Sequence, residues 1–346
     1  MEKKELELYI HIPFCVKKCD YCDFLSFSAD EQTQRSYVAA LQKELVFYGA
    51  KYKGRRITTI FIGGGTPSWL REESMQAVME TVYQNFAVDG DAEITIECNP
   101  GTITEHKFEV YRRIGINRLS IGLQSVHNEE LKILGRIHTF EQFLKTYDMA
   151  RKHGFTNINI DLMSSLPGQT PDIFCDSLHR VLQLKPEHIS AYSLIIEKGT
   201  PFYEKYGEGE RAEARRRREL PDEDTERLMY QFTKNILQNY GYHRYEISNY
   251  AKEGYECRHN LGYWNRTEYL GIGTGAASLI NNQRFVEGGE IEVLTPQNQM
   301  EEYMFLGLRR IKGISKADFR RTFGRSVENV YGKVLIHMYQ KQLLED

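Results

Sequence analysis

The sequence lacks any apolar run that approaches the roughly 20 residues a membrane-spanning helix needs. Its first five residues, Met1 to Glu5, are mostly charged and have no apolar segment behind them, so we expect no signal peptide. A strong excess of one charge is also missing, because the formal net charge is −3. Nothing in this balance calls for nucleic acid or an anionic membrane surface as a partner. We therefore expect a cytoplasmic protein that does not bind nucleic acid.

Cysteine is scarce, with six in 346 residues, and unevenly placed. Cys15, Cys19 and Cys22 fall within eight residues, whereas the other three are far apart along the chain. A disulfide framework would distribute its cysteines more evenly, and the cytosol keeps thiols reduced. The pattern excludes a disulfide-stabilised secreted domain and indicates metal chemistry at the triplet.

The hydrophobic fraction of 41% is ample for a sizeable core. Apolar residues alternate between Leu6 and Ile12, which is the period-2 pattern of a strand. Segments with helical spacing separate this strand from five further strand-like stretches at 57–62, 92–96, 118–124, 157–163 and 188–194. Strand and helix alternating about six times predict parallel strands joined by right-handed crossovers. The predicted fold is α/β, a partial (β/α)6 TIM-type barrel.

The alternation ends near Gly199, and we expect three regions. Residues 1–200 form the core barrel, 201–295 a smaller α+β extension, and 296–346 a helical C-terminal region. The last region is expected to be incomplete, because the chain stops at Asp346 after an apolar helical run without a C-cap signal. The arginine run 215–218 is flanked by acidic residues and is interpreted as a solvated loop or helix entry rather than a patch for an acidic partner or nucleic acid.

The triplet Cys15, Cys19 and Cys22 has the spacing C-x3-C-x2-C. Three thiolates on one loop suit an iron–sulfur cluster. The alternative is a zinc site completed by His11 or a distant residue, although structural zinc usually shows paired C-x2-C units and no second pair follows here. A cubane cluster with three cysteine ligands leaves one iron open for a small molecule.

Glycine and polar residues mark further strand ends. The run from Gly63 to Pro67 (GGGTP) directly follows the strand ending at Ile62, and residues without a Cβ let the backbone approach a ligand closely. Glu97, Gln124 and Asp161 stand at or near the ends of the next three strands. The C-terminal strand ends are the face where barrels place their active sites. We expect these loops to converge there on one ligand site.

Taken together, these segments resemble the branch of the radical S-adenosylmethionine (SAM) superfamily that contains oxygen-independent coproporphyrinogen III dehydrogenase and the haem chaperone HemW. The resemblance extends over nearly the whole chain, to about Gly313. The segments that carry it are YIHIPFC (9–15), GGGTP (63–67), IECNP (96–100), RLSIGLQS (118–125), LGR (134–136), DLM (161–163) and LPGQT (166–170).

The resemblance implies a [4Fe–4S] cluster on the three cysteines, with SAM chelated by the open iron. It implies SAM-binding positions at Tyr9, Tyr21, Gly64, Gly65, Thr66, Glu97, Gln124, Arg136 and Asp161. A second SAM-sized site beside the first is also implied, with Tyr21 as a wall of that pocket or as ordinary packing beside the cluster. His11 is near enough to the cluster to tune it, and reduction requires a flavodoxin or ferredoxin-type partner.

Two departures argue against the dehydrogenase. Phe24 stands where that enzyme has a further cysteine, and only fourteen residues precede Cys15, which leaves no room for its N-terminal extension. In the other direction, the segment from His259 to Trp264 fits the HNxxYW pattern associated with the haem chaperones.

His259 is the candidate haem ligand, and the alternative is a packed aromatic turn in which His259 makes a core hydrogen bond. Cys257 is a further candidate, as a thiolate ligand or an attachment point. The predicted function is haem binding and transfer to an acceptor, for which a membrane-associated cytochrome is expected. The runner-up is the dehydrogenase, and a nucleic-acid-modifying radical SAM enzyme is disfavoured by the neutral charge balance.

Overall fold

The computed structural model describes residues 4–345. The expectation about residues 1–5 lies partly outside this range, and the expectation of an incomplete end at Asp346 lies outside it. Six parallel strands occur in chain order and alternate with helices. They are β1 (Glu5–Ile12), β2 (Arg56–Gly64), β3 (Ala87–Cys98), β4 (Arg118–Gln124), β5 (Ile158–Ser164) and β6 (His188–Ser193).

Helices cover the outer face of these strands, and several begin at a side-chain cap, for example Asp30, Thr139 and Thr170. A single 3₁₀ turn spans Pro67–Trp69. The helices of this part are α1 (Glu31–Lys51), α2 (Glu72–Asn85), α3 (Glu105–Arg113), α4 (Asn128–Ile133), α5 (Phe140–Lys152) and α6 (Pro171–Gln183).

The following segment adds both helices and short strands. Its helices are α7 (Pro201–Tyr206), α8 (Glu210–Glu219), α9 (Glu223–Asn239) and α10 (Arg258–Trp264). Its strands are β7 (His243–Arg244), β8 (Asn249–Ala251), β9 (Tyr269–Ile272), β10 (Ala277–Ile280), β11 (Gln283–Val286) and β12 (Glu292–Val293). The arginine run therefore lies inside a helix, α8.

Three helices complete the described chain: α11 (Pro296–Gly307), α12 (Lys316–Phe323) and α13 (Val327–Gln340). They enclose a small separate core of Met300, Phe319, Val327 and Leu335. Within the predicted helical region, the sequence shows helical spacing from Met300 to Arg310 and from Ser326 to Leu344, which correspond to α11 and α13, but it does not predict α12. In the described part of the chain, no helix combines the length and the apolar character that crossing a membrane requires.

All twelve strands form one sheet, in the order β12-β11-β10-β9-β1-β2-β3-β4-β5-β6-β8-β7. β9 adds to β1 in parallel, whereas β8 adds to β6 antiparallel. Within residues 4–345 the sheet does not close on itself, because β7 and β12 remain its two edges. The predicted partial (β/α)6 barrel with a smaller α+β extension is confirmed.

The two faces of the core strands differ in chemistry. Leu6, Leu8, Ile10 and Ile12 of β1 are fully buried in the main apolar cluster together with residues of the covering helices. The intervening positions of these strands face the barrel interior, and many of them are polar. This polar inner face is what forms the candidate site.

Candidate functional site

A cavity of about 710 Å³ lies inside the barrel. Thirteen of the candidate residues identified from the sequence line it, whereas Cys257 and His11 do not. The thirteen are Tyr9, Cys15, Cys19, Tyr21, Cys22, Gly64, Gly65, Thr66, Glu97, Gln124, Arg136, Asp161 and His259. A smaller cavity of about 370 Å³ shares Tyr9, Phe24, Gly64, Glu97 and Tyr263 with it.

The three cysteines lie on the loop that follows β1, and backbone hydrogen bonds fix this loop at both ends. The N–H of Cys15 donates to the Phe27 carbonyl at 3.0 Å, and the N–H of Asp20 donates to the Leu134 carbonyl at 3.1 Å. Between these anchors, the N–H of Cys22 donates to the Cys19 carbonyl at 3.2 Å. All three thiols are free of disulfides.

Two side chains donate hydrogen bonds to the cysteine sulfurs. The Thr66 hydroxyl donates to Cys15 Sγ at 3.4 Å, and Arg136 Nη1 donates to Cys19 Sγ at 3.6 Å. Hydrogen bonds to sulfur and a nearby cation tune an iron–sulfur cluster and offset its negative charge. The donor set therefore fits a cluster.

The arrangement does not fit a mononuclear zinc site. Thiolates around one zinc ion would lie about 3.8 Å apart, from the usual Zn–S distance in a tetrahedron. Among residues 4–345, no three His, Cys, Asp or Glu side chains are placed to hold a single metal ion.

The glycine run approaches the first strand so closely that side chains are excluded. Gly64 has φ +117°, and a Cβ there would lie 2.6 Å from the His11 ring. A Cβ at Gly65 would lie 2.8 Å from the Phe14 carbonyl oxygen. The N–H of Gly64 donates to Glu97 Oε2 at 3.0 Å, so this carboxyl group holds the glycine run in place.

Tyr9 and His11 are also fixed on this side of the cavity. His11 Nε2 donates to the Leu25 carbonyl at 3.0 Å, so its Nδ1 is free to accept from the Tyr9 hydroxyl, also at 3.0 Å. Burial lowers the pKa of His11 below its ordinary value. His11 therefore links the strand to the cysteine loop as a neutral ring.

Two buried carboxyl groups face the cavity. Burial raises the pKa of Glu97 to about 8, and the negative charge of Asp161 adds to this shift. Burial also raises the pKa of Asp161, which accepts from Asn159 Nδ2 at 2.7 Å and from the Ser120 hydroxyl at 3.4 Å. At neutral pH Glu97 thus retains a proton and is able to donate a hydrogen bond to a ligand.

Arg136 and Gln124 lie at the same end of the barrel. Arg136 Nη2 donates to Asn99 Oδ1 at 2.9 Å and to the Gly122 carbonyl at 2.5 Å. Gln124, in a left-handed backbone conformation with φ 71°, accepts from the Tyr192 hydroxyl at 3.0 Å. Tyr21 lines the cavity beside them, and burial raises its pKa above the ordinary range.

Sequence reasoning misplaced one residue and missed others. Asp161 lies in the middle of β5, not at its end, because three further residues complete the strand. Asn99 and Tyr192 line the cavity and hold Arg136 and Gln124, yet neither was predicted as a site residue. Tyr192 alternates with Ser190 along β6, a pattern visible in the sequence, whereas Asn99 lies just after β3 and has no such signal.

His259 lies at the opposite end of the cavity from the cysteines. Its helix, α10, begins against Glu93, whose carboxylate accepts from the N–H groups of Arg258 and His259 at 3.1 and 3.2 Å. Glu93 pairs in register with Thr59, and Thr59 with Glu7, near the start of β1. From Glu7 to the end of β1 the chain rises about 17 Å.

Both ring nitrogens of His259 are engaged. Nδ1 pairs with the Thr59 hydroxyl at 2.7 Å, and Nε2 pairs with the Tyr263 hydroxyl at 3.0 Å. The ring stacks on Phe61 with centroids 5.2 Å apart. Burial and the charge of Arg118 lower the pKa of His259 to about 3, so the ring is neutral. This is the geometry of a packed, hydrogen-bonded core histidine that also lines the cavity.

Cys257 is buried at the start of the same helix. Its thiol donates to Glu93 Oε1 at 3.5 Å, and burial raises its pKa to about 12. It does not line the cavity, unlike its neighbours His259 and Asn260.

Known proteins resemble both the sequence and the fold. The radical SAM superfamily model matches residues 9–181, and the HemN C-terminal domain model matches 294–346. A Bacillus subtilis protein named heme chaperone HemW is 36% identical, covering 98% of this chain and 92% of its own length. An Escherichia coli protein of the same name is 43% identical over 78% of this chain and 69% of its own.

One solved structure supports the fold. The coproporphyrinogen III oxidase HemN from Escherichia coli superposes with a TM-score of 0.81 at 24% identity, covering 97% of this chain and 82% of that one. The sequence relatives identify a narrower family than the shared fold does. The chain belongs to the radical SAM superfamily and, within it, to the family of the proteins named heme chaperone HemW.

Proposed function

We propose that this protein is a haem chaperone of the radical SAM class. It binds a [4Fe–4S] cluster, SAM and haem, and it passes the haem to an acceptor protein. The observation that carries this proposal is the similarity to proteins named heme chaperone HemW over 98% of the chain. The cavity that gathers the cysteines, the glycine run and His259 supports it.

Cys15, Cys19 and Cys22 hold the cluster in this proposal. When bound, the cluster and SAM supply one-electron chemistry at the sulfonium group. Thr66 and Arg136 donate hydrogen bonds to two of the sulfurs and thereby set the charge around them. The buried position of Cys15 keeps water away from one side of the loop.

The SAM-binding side chains surround the same end of the cavity. The glycine run offers backbone groups at close range, and the protonated Glu97 and the Asp161 carboxyl face the interior. The proposed SAM-binding residues are Tyr9, Tyr21, Gly64, Gly65, Thr66, Glu97, Gln124, Arg136 and Asp161.

His259 is the proposed haem residue. Its Nε2 pairs with the Tyr263 hydroxyl, so ligation of haem iron requires that hydroxyl to rotate away. Phe61 and Tyr263 supply flat apolar walls beside the ring. Cys257 is not proposed as a ligand, because its thiol points to Glu93 and lies behind the cavity wall.

The protein works in the cytoplasm with two kinds of partner. A flavodoxin or ferredoxin-type protein reduces the cluster, and a membrane-associated cytochrome accepts the haem. We assign 1–200 to the barrel, 201–295 to the family-specific extension with α10, and 296–346 to the C-terminal region. The match of the HemN C-terminal domain model to residues 294–346 supports the last boundary.

The test separates a chaperone from a coproporphyrinogen III dehydrogenase. Phe24 lines the mouth of the cavity with 62% of its surface exposed, at the position where the dehydrogenase has a cysteine. Protein carrying the cluster is incubated anaerobically with SAM, reductant and coproporphyrinogen III, with a bona fide dehydrogenase as positive control. We expect no protoporphyrinogen IX. Its formation would make this protein a haem-biosynthetic enzyme.

A second measurement tests His259. Haem is titrated into the wild type, His259→Ala and His138→Ala, and binding is followed by absorption. His138 is a matched control, because it is equally buried but does not line the cavity. We expect His259→Ala alone to change the haem spectrum and weaken binding. Identical spectra for all three proteins would contradict the assignment.

A further inference from the structure

A buried cation, Arg118, lies at the end of the cavity near the amino ends of the strands, which is called the floor below. The proposed function assigns it no role. Arg118 is the first residue of β4, and its side chain is only 2% exposed, although it lines the cavity. It is the bulkiest of the fully buried side chains in the described chain. The inward positions that follow on β4 are Ser120, Gly122 and Gln124, so Arg118 lies below the SAM-binding end.

Arg118 has no counter-ion in contact. Among residues 4–345, no carboxylate forms an ion pair with it, and its Nε has no hydrogen-bond acceptor. The carboxylates that attract it from a greater distance are Glu93 and Asp161. Glu93 already accepts from the start of α10, and Asp161 already accepts from Asn159.

Two partly buried arginines differ from Arg118 in having partners for their terminal nitrogens. Arg151 forms an ion pair with Glu187 at 2.9 Å. Arg136 donates to Asn99, Gly122 and Cys19. Arginine cannot lose its proton in a protein, so Arg118 carries its full charge in the interior. A buried charge without a partner is strongly destabilising. A protein tolerates such a charge where an anionic ligand binds and pairs with it.

The surroundings of Arg118 suit a carboxylate. Ser120, Asn159 and Ser190 line the cavity near it, and their donors reach a ligand only by turning away from their present acceptors, Asp161 and Asn159. We propose that Arg118 and these side chains bind a carboxylate of the haem, one of its propionates, at the floor of the cavity. This inference rests on the proposed function and names the group by which the haem is held.

The carboxylate of SAM is less well placed to reach Arg118 than a haem propionate is. In radical SAM proteins the amino acid end of SAM lies at the open iron of the cluster, beside the cysteine loop. From Arg118 to Gln124 the strand rises about 20 Å, which places Arg118 far from that end. His259 lines the same cavity near the amino ends of the strands, on the side of Arg118.

The experiment compares haem with haem dimethyl ester, in which both propionates are uncharged. Both are titrated into wild type, Arg118→Gln, Arg118→Lys and Arg151→Gln, all with the cluster reconstituted, and binding is followed by absorption. Wild type should bind haem at least about tenfold more tightly than the ester, as expected for a charged hydrogen bond. Arg118→Gln should lose this preference, and Arg118→Lys should keep part of it.

Arg151→Gln serves as the control for loss of a partly buried arginine that has an ion-pair partner. It breaks an ion pair, so its melting temperature should fall while its preference for haem remains. Arg118→Gln removes an unpaired charge, so the melting temperature of its ligand-free form should be unchanged or higher. The wild-type comparison of haem with its ester stands even if a variant fails to fold.

Three outcomes overturn the inference. An unchanged haem preference in Arg118→Gln removes Arg118 from the haem site while leaving the chaperone function intact. Weaker SAM binding with unchanged haem binding in that variant assigns the floor to a SAM carboxylate. A wild type that binds no haem overturns the proposed function and the propionate assignment together.

Discussion

Gly262 makes the packing of α10 against the barrel testable. This residue lies in the middle of α10, and a Cβ at this position would overlap the carboxyl group of Glu7. Glu7 is almost fully buried, and its Oε2 has no hydrogen-bond partner among the described residues. All three atoms that the methyl group would meet belong to this buried carboxyl group, so Gly262→Ala requires the Glu7 side chain to turn within the interior or α10 to move away from β1.

Two opposing contributions set the magnitude. Overpacking a close contact costs about 1–3 kcal/mol, and replacing glycine by alanine inside a helix gains about 1 kcal/mol. Since the added methyl group meets three carboxyl atoms, the cost should lie in the upper part of its range. We expect Gly262→Ala to lower the free energy of unfolding by about 1–2 kcal/mol, measured by urea denaturation of the ligand-free protein.

Gly332 in α13 provides a matched control, because a Cβ there would have no neighbour within 4 Å. Gly332→Ala should stabilise the protein by up to about 1 kcal/mol. Glu7→Ala should relieve the overlap, so a double-mutant cycle of Glu7→Ala with Gly262→Ala should show a favourable coupling of about 1 kcal/mol or more. Equal stabilisation by the two glycine substitutions, or a coupling of zero, would refute the reasoning.

Three further predictions concern charge and the cluster. Burial raises the pKa of Glu7 to about 9, so the wild type loses stability as the pH rises from about 4.5 to 9. Over this range the free energy of unfolding of Glu7→Gln should rise relative to that of the wild type by up to about 1.4 kcal/mol per pH unit. Urea denaturation at pH 5 and 8 measures this difference, and parallel pH profiles would contradict it. Cys19→Ala should abolish the cluster and leave the barrel folded, as iron analysis and circular dichroism report, and a full-occupancy cluster would refute the ligand assignment. Thr66→Val removes the donor to Cys15 Sγ and should make the cluster's reduction potential more negative; an unchanged redox titration would show that this hydrogen bond does not tune it.

The fold and the cluster loop follow from local patterns. The alternation from Leu6 to Ile12 predicts β1 because one of its faces is buried under helices. The spacing of the three cysteines favours a cluster because the ligands lie on one short loop. α12 was missed, since its eight residues contribute only one buried side chain, Phe319, to a small core.

The inner face of the barrel could not be derived in the same way. Arg118 and Asn99 become site residues only when the sheet register brings them to the cavity. The HNxxYW motif indicates a histidine beside aromatic residues, but it does not indicate where in the barrel this histidine lies. α10 is held by Glu93, more than 160 residues earlier in the chain, and this contact puts His259 at the opposite end from the cysteines.

The central claim is that the protein hands haem to another protein. Cluster-containing protein is loaded with haem and mixed anaerobically with membrane vesicles carrying a haem-free cytochrome, and the absorption of each protein is followed over time. We predict that the haem leaves this protein and appears in the cytochrome, and that the His259→Ala variant transfers less. Haem that stays bound while the cytochrome remains haem-free would contradict the account.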